Sequence, residues 1–149
     1  MTLETILLAV GPGDADRTET LADAVAEVAE PTGATVILAH VFTDEEYDEV
    51  VARLDYDPMG EISPDEVAAR HATIRELTDR LADAGITYRV RGAVGSHGET
   101  IADLASEVDA DRVVVGGRTR SPTGKAVFGS VAQTVMLSSP CPVTFVRSD

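Results

Sequence analysis

The chain has 149 residues, with 26 acidic against 12 basic side chains, a formal net charge of −14 and 44% hydrophobic residues. That is one domain of ordinary size with enough apolar content for its own core, and a lone Cys141 excludes an internal disulfide or a cysteine-built zinc cage. The acidity argues against a nucleic-acid surface, which wants a basic face, and no apolar run approaches the length of a membrane span.

The stretch MTLETILLAV has no basic region and no small-residue cleavage site, so the expected location is the cytoplasm. Eleven of the 12 bases are Arg, and the acids sit between periodic apolar residues rather than in a disordered tail. Such an acidic, lysine-poor chain reads as salt-adapted: the acids form a solvated coat whose repulsion a salt-rich interior screens.

In chain order, TILLAV (5–10) is the first apolar run and reads as a strand buried on both faces. Leu21, Val25, Val28 and Ala29 then recur at helical spacing, and Pro31 and Gly33 stop that helix. ATVILAHVF (34–42) is a second buried strand. The very acidic segment 43–62 reads as a solvated insertion with a short extra helix and a loop. SPDE at 63–66 opens the next helix, with Ser63 as N-cap, Pro64 first and Glu66 closing a capping box. Ile74, Leu77 and Leu81 continue it on one face, and Gly85 ends it. ITYRVRGAV (86–94) alternates apolar and polar residues, as a half-exposed edge strand does. Ile101, Leu104, Ala105 and Val108 mark a third helix, and RVVVGG (112–117) a fourth strand. A fourth helix opens with Ser130 as N-cap and Gln133 at the capping-box position, running to about Ser138 before PVTFVR (142–147). Strands alternating with helices define an α/β three-layer sandwich with right-handed crossovers, read here as a single domain over 1–149. Its ligands would bind beyond the carboxyl ends of the strands, at the switch point.

Two familiar phosphate motifs fail on inspection. GPGDAD (11–16) begins like a dinucleotide fingerprint, but its sixth residue is Asp16, and Asp14 and Asp16 stand where a pyrophosphate needs bare N–H groups; it reads as a turn and helix cap. Gly124-Lys125 lacks the Walker pattern, because Thr119 and Ala126 occupy the positions that need Gly and Ser/Thr. The segment as a whole is more telling. From Val113 through Ser148 there is no Asp or Glu, while Arg118, Arg120 and Lys125, the only lysine, fall in a loop that ends in Gly129-Ser130 at a helix start. Basic side chains beside the free N–H groups of a helix N-terminus form an anion site. His40, His71 and His97 are spread over strand, helix and loop without metal-ligand spacing, with His40 read as a sheet histidine and His97 as a loop-surface residue.

Gly116, two residues, Thr119, nine residues, then Gly129-Ser130 resembles the glycine pattern of the universal stress protein family, and SSPCPVTFVR and GSHGETIADLASEVDADRVVVGG are similar to that family's last strand and to its third helix and fourth strand. The resemblance implies a five-stranded parallel sheet in the order 3-2-1-4-5, of the Rossmann-like, adenine nucleotide alpha hydrolase-like kind. It implies a homodimer paired through the last strand, 143–147. For the nucleotide-binding branch it implies ATP with Mg or Mn. Adenine would lie near Val41, ribose near Ala9, Val10 and Gly11, and the phosphates against Val115, Gly116, Arg118, Thr119, Lys125, Gly129, Ser130 and Val131. The expected role is a signalling module without catalytic residues, slow ATP hydrolysis aside. Two departures carry an alternative, a dimeric interaction module that binds no nucleotide: Gly11 stands where the binding branch usually has Asp, and Thr119 replaces the second glycine.

Overall fold

The computed structural model describes residues 3–53, 62–117 and 129–147. The run 5–10 becomes β1 (Thr5–Val10), the centre of the sheet, with β2 (Thr35–Phe42) on one side and β4 (Arg112–Gly117) on the other. β3 (Tyr88–Val94) and β5 (Val143–Arg147) are the edges, so the order is β3-β2-β1-β4-β5 and every pairing is parallel. This is the expected sheet. The alternation in 86–94 correctly marks an edge strand, and the apolar runs 5–10, 34–42 and 112–117 correctly mark inner ones, but PVTFVR (142–147), apolar almost throughout and so expected to be buried on both faces, forms the other edge, with only Val146 of β5 buried.

Alternate residues of β1 serve two cores. Ile6, Leu8 and Val10 face α1 (Thr18–Thr32), through Leu21, Ala22, Val25 and Ala29, and α4 (Ala72–Asp83), through Ile74, Leu77 and Leu81. Leu7 and Ala9 face α5 (His97–Glu107), through Ile101, Leu104 and Ala105, and α6 (Ser130–Ser138), through Ala132 and Val135. Period-two side-chain alternation thus puts one helix pair on each face. α1 ends where Gly33 adopts a left-handed φ of 71° and donates its N–H to the Ala29 carbonyl. At the opposite end of the strands, one Asp111 carboxylate oxygen accepts the N–H groups of Glu4 and Thr5 at 2.8 and 3.0 Å, tying the start of β1 to the start of β4.

Three local expectations need correction. The single helix expected from Ser63 to Gly85 is two, α3 (Pro64–Ala69) and α4. His71 is extended (φ −66°, ψ 133°), and its Nδ1 accepts the Thr73 N–H at 3.3 Å to start the second. The start at Ser63 is as expected, its Oγ accepting the Glu66 N–H at 3.2 Å. The acidic segment is also more than a solvated insertion. α2 (Asp44–Arg53) is capped reciprocally by Thr43 and Glu46, and Tyr47, Val50 and Val51 pack with Ile62 on a small core of Phe42, Val67 and Ala68. Residues 54–61 of that segment lie outside the described residues. The third correction falls at α6, whose N-cap is Gly129 rather than Ser130, with no side-chain capping bond.

α3 lies against the outer edge of β3, where the Gly92 N–H donates to Asp65 Oδ1 at 2.7 Å. A Cβ on Gly92 would fall on the Pro64 carbonyl, well inside van der Waals contact and against backbone that cannot swing away. Gly92→Ala is therefore expected to lower stability by about 2 kcal/mol, through displacement of α3. A urea-melt midpoint unchanged from the parent would show that α3 is free to move.

Candidate functional site

Pairing between β1 and β4 ends at Ala9 with Val115, while β4 runs on beside β5 to Gly117. The two central strands therefore part at their carboxyl ends, at the switch point of the topology, where α/β sheets bind ligands. A cavity of about 150 Å³ opens there, lined by Ala9, Val10, Gly11, Gly13, Asp14, Arg17, Val41, His97, Ile101, Val115, Gly116, Val131 and Ala132. That is about the volume that admits one six-membered aromatic ring. Ala9, Val10, Gly11, Val41, Val115, Gly116 and Val131, which the family resemblance implies as site residues, all line this cavity.

Gly129 and Ser130 lie at the N-terminus of α6, both exposed and off the cavity lining. Because Gly129 takes the N-cap position, the Ser130 hydroxyl is not spent on the helix and faces solvent. Arg118, Thr119, Arg120 and Lys125 lie outside the described residues.

The turn after β1 holds what sequence reasoning missed. Residues Pro12–Asp16 form one short 3-10 turn, so the acids at 14 and 16 precede α1 rather than opening it. Asp14 turns back on the strand end: Oδ2 accepts the Gly11 N–H at 2.7 Å, and Oδ1 lies 3.3 Å from Arg17 Nη1. Burial pushes the Asp14 carboxyl above its usual range, opposed by the Gly11 N–H and the Arg17 charge. Both side chains pass close to β4. A Cβ on Gly116 would come 3.0 Å from Asp14 Oδ1 and 3.1 Å from Arg17 Cδ, so this glycine makes room for the pair. The available signal was the Asp-x-x-Arg spacing inside a capping turn, which puts the two side chains on one side.

The three histidines, far apart in sequence, gather beside the crevice. His40 is buried and donates Nδ1–H to the Val10 carbonyl at 2.9 Å, fixing the last residue of β1. Its ring centroid is 4.5 Å from that of His71 and 4.6 Å from that of Phe42. His97 is the first residue of α5 rather than a loop residue, and its Nε2 lies 2.8 Å from Glu46 Oε1. Burial, with His71 alongside, pushes His40 down to about 4, and burial lowers His71 as well. Among the described residues no three of His, Cys, Asp and Glu converge as a metal-ligand set.

Fold and crevice together define a class: an open parallel α/β sheet with a small, mostly apolar pocket at its switch point. The model of the universal stress protein family matches residues 2–147. A universal stress protein of Mycolicibacterium smegmatis is 35% identical over 80 residues, covering 53% of this chain and 62% of that relative, so the match spans less than two thirds of its length. A universal stress protein structure from Archaeoglobus fulgidus is 28% identical with a TM-score of 0.72, covering 96% of this chain and 98% of the other. Another from Archaeoglobus fulgidus, in complex with dAMP, is 25% identical with a TM-score of 0.67 over 98% of this chain and 99% of that one. The chain belongs to the universal stress protein family. Among the described residues no helix is long and apolar enough to cross a membrane.

Proposed function

We propose that the chain is a cytoplasmic regulatory module that binds ATP or another adenine nucleotide at the β1–β4 crevice, and that its output is a change of state or partner rather than turnover. The observation that carries this reading is the convergence of Ala9, Val10, Gly11, Val41, Val115, Gly116 and Val131 on one cavity at the strand ends. The apolar wall of Val41, Ile101 and Val131 suits a purine face, and the N-terminus of α6 supplies free N–H groups and an uncapped Ser130 hydroxyl for phosphates. A Mg or Mn ion would be carried by those phosphates, with the Ser130 hydroxyl as a protein oxygen able to join it. Similarity to a relative seen with dAMP supports the same ligand class.

At a hundredfold excess over Kd, ATP with Mg is expected to stabilise the protein by about 2.7 kcal/mol, read as a rise in melting temperature. No rise at saturating ATP, together with no excess absorbance at 260 nm in the purified protein, would overturn the reading.

A second reading, pairing of two copies through β5 with or without nucleotide, is favoured by one feature. Leu137 is 80% exposed on α6, and Met136 and Val131 are exposed on the same helix, which packs beside the β5 edge of the sheet.

A further inference from the structure

Alone among the described α-helices, α2 contributes no buried residue, and its Asp44, Glu45, Asp48 and Glu49 face solvent. An element held this lightly opens locally, without unfolding of the whole chain. Two ties join its start to the crevice. Along the chain, Val41 lines the cavity, and Thr43 just beyond it caps α2. Across space, His97 lines the same cavity, and its Nε2 lies 2.8 Å from Glu46 Oε1. That oxygen also accepts the Thr43 N–H at 2.8 Å. One carboxylate oxygen therefore closes the cap of α2 and holds a side chain of the crevice wall.

The Thr43 N–H, helped by His97, keeps the Glu46 carboxyl below its usual range. An ionised carboxylate only accepts, so His97 Nε2–H is the donor. The turn that leads into α5 is fixed on β2, where the Gly95 N–H donates to the Phe42 carbonyl at 2.8 Å. His97 thus stands on a fixed wall, and α2 is the side of the bond that can move. Both partners are partly wet: the His97 side chain is 28% exposed and that of Glu46 40%. A ligand in the crevice covers the His97 ring and takes water from the bond, and a charge-assisted bond strengthens as water leaves.

Resting on the adenine-nucleotide reading above, we propose that the His97–Glu46 bond links the crevice to α2: a bound ligand tightens it and holds α2 down, so α2 is the element whose state changes. The test is hydrogen exchange of the α2 amides from Tyr47 to Arg53, read by mass spectrometry with and without saturating ATP and Mg. In the parent protein the ligand is expected to slow their exchange about fivefold. His97→Phe keeps a ring on the crevice wall but has no donor, and it should abolish the slowing. Glu46 does not line the crevice, and Glu46→Gln keeps an acceptor for the cap but loses the charge, so it should leave about a twofold slowing. A rise in melting temperature with ATP but no slowing at α2 would overturn the link and leave nucleotide binding intact. Slowing that persists undiminished in His97→Phe would do the same. If ATP neither raises the melting temperature nor changes exchange anywhere, both readings fall. Should His97→Phe fail to fold or to bind ATP, Glu46→Gln decides, and a full fivefold slowing there overturns the proposal.

Discussion

Leu8→Ala is expected to cost about 3–4 kcal/mol, one of the two largest effects foreseen for this chain. Leu8 is wholly buried on the central strand, flanked in register by Leu38 of β2 and Val114 of β4, and it belongs to the core that α1 and α4 cover. Neither neighbouring strand can close in, because each is pinned by its own ladder, so the lost side chain leaves a cavity as well as losing its transfer energy. Urea unfolding measures it directly. As a control, Leu137→Ala removes a side chain that is 80% exposed and should shift stability by less than about 0.5 kcal/mol. A Leu8→Ala cost below about 1 kcal/mol would mean that the core collapses around the gap.

Acid is expected to expose the second large effect, at His40. Its folded pKa, about 4, lies below the ordinary histidine value of 6.5, because burial disfavours the imidazolium. A histidine shifted this way stays neutral in the folded protein while the unfolded chain takes up a proton. Its contribution is therefore fully present above 6.5 and lost as pH falls from there toward 4. Between pH 7 and about 4.5 the loss is about 2–3 kcal/mol. His71 acts in the same direction, while the lowered carboxyls of Glu46, Glu76 and Asp111 lose their contributions mainly below that window. Asp14, raised by burial, works the opposite way. Comparison with His40→Asn isolates the histidine, since asparagine keeps a donor for the Val10 carbonyl but does not titrate. Denaturant melts at pH 7 and 4.5 should show a markedly smaller acid loss in His40→Asn than in the parent. Equal losses would remove His40 as the cause.

The strands were legible because burial on both faces or on one leaves different patterns in a row of residues, as 5–10 and 86–94 show. The break at His71 was not. Ile74, Leu77 and Leu81 continue a helical period from Val67, yet α3 must lie along the edge of β3 while α4 must cover a face beside α1. One-dimensional periodicity does not distinguish an edge from a face. Seven crevice residues could be named because the glycine pattern around Gly116 and Gly129 resembles that of the universal stress protein family. Arg17 could not, since it looks like one more member of the charged coat. Its burial depends on Gly116, about a hundred residues away, leaving room for its stem. The histidines were hidden for a related reason. His71 and His97 reach His40 only because two helix starts fall beside the same end of β2.

The two rims of the sheet are finished differently. Along β3, the Asp65 carboxylate takes the N–H of Gly92, and α3 lies so close that no further strand can be laid there. Among the described residues nothing comparable covers β5, whose one sheet neighbour is β4. A sheet with two open rims can add copies without end, which is the route to fibres. With the β3 rim sealed, any joining of copies through β5 would have no second rim of the same kind among the described residues to extend from, so such joining would stop at two copies.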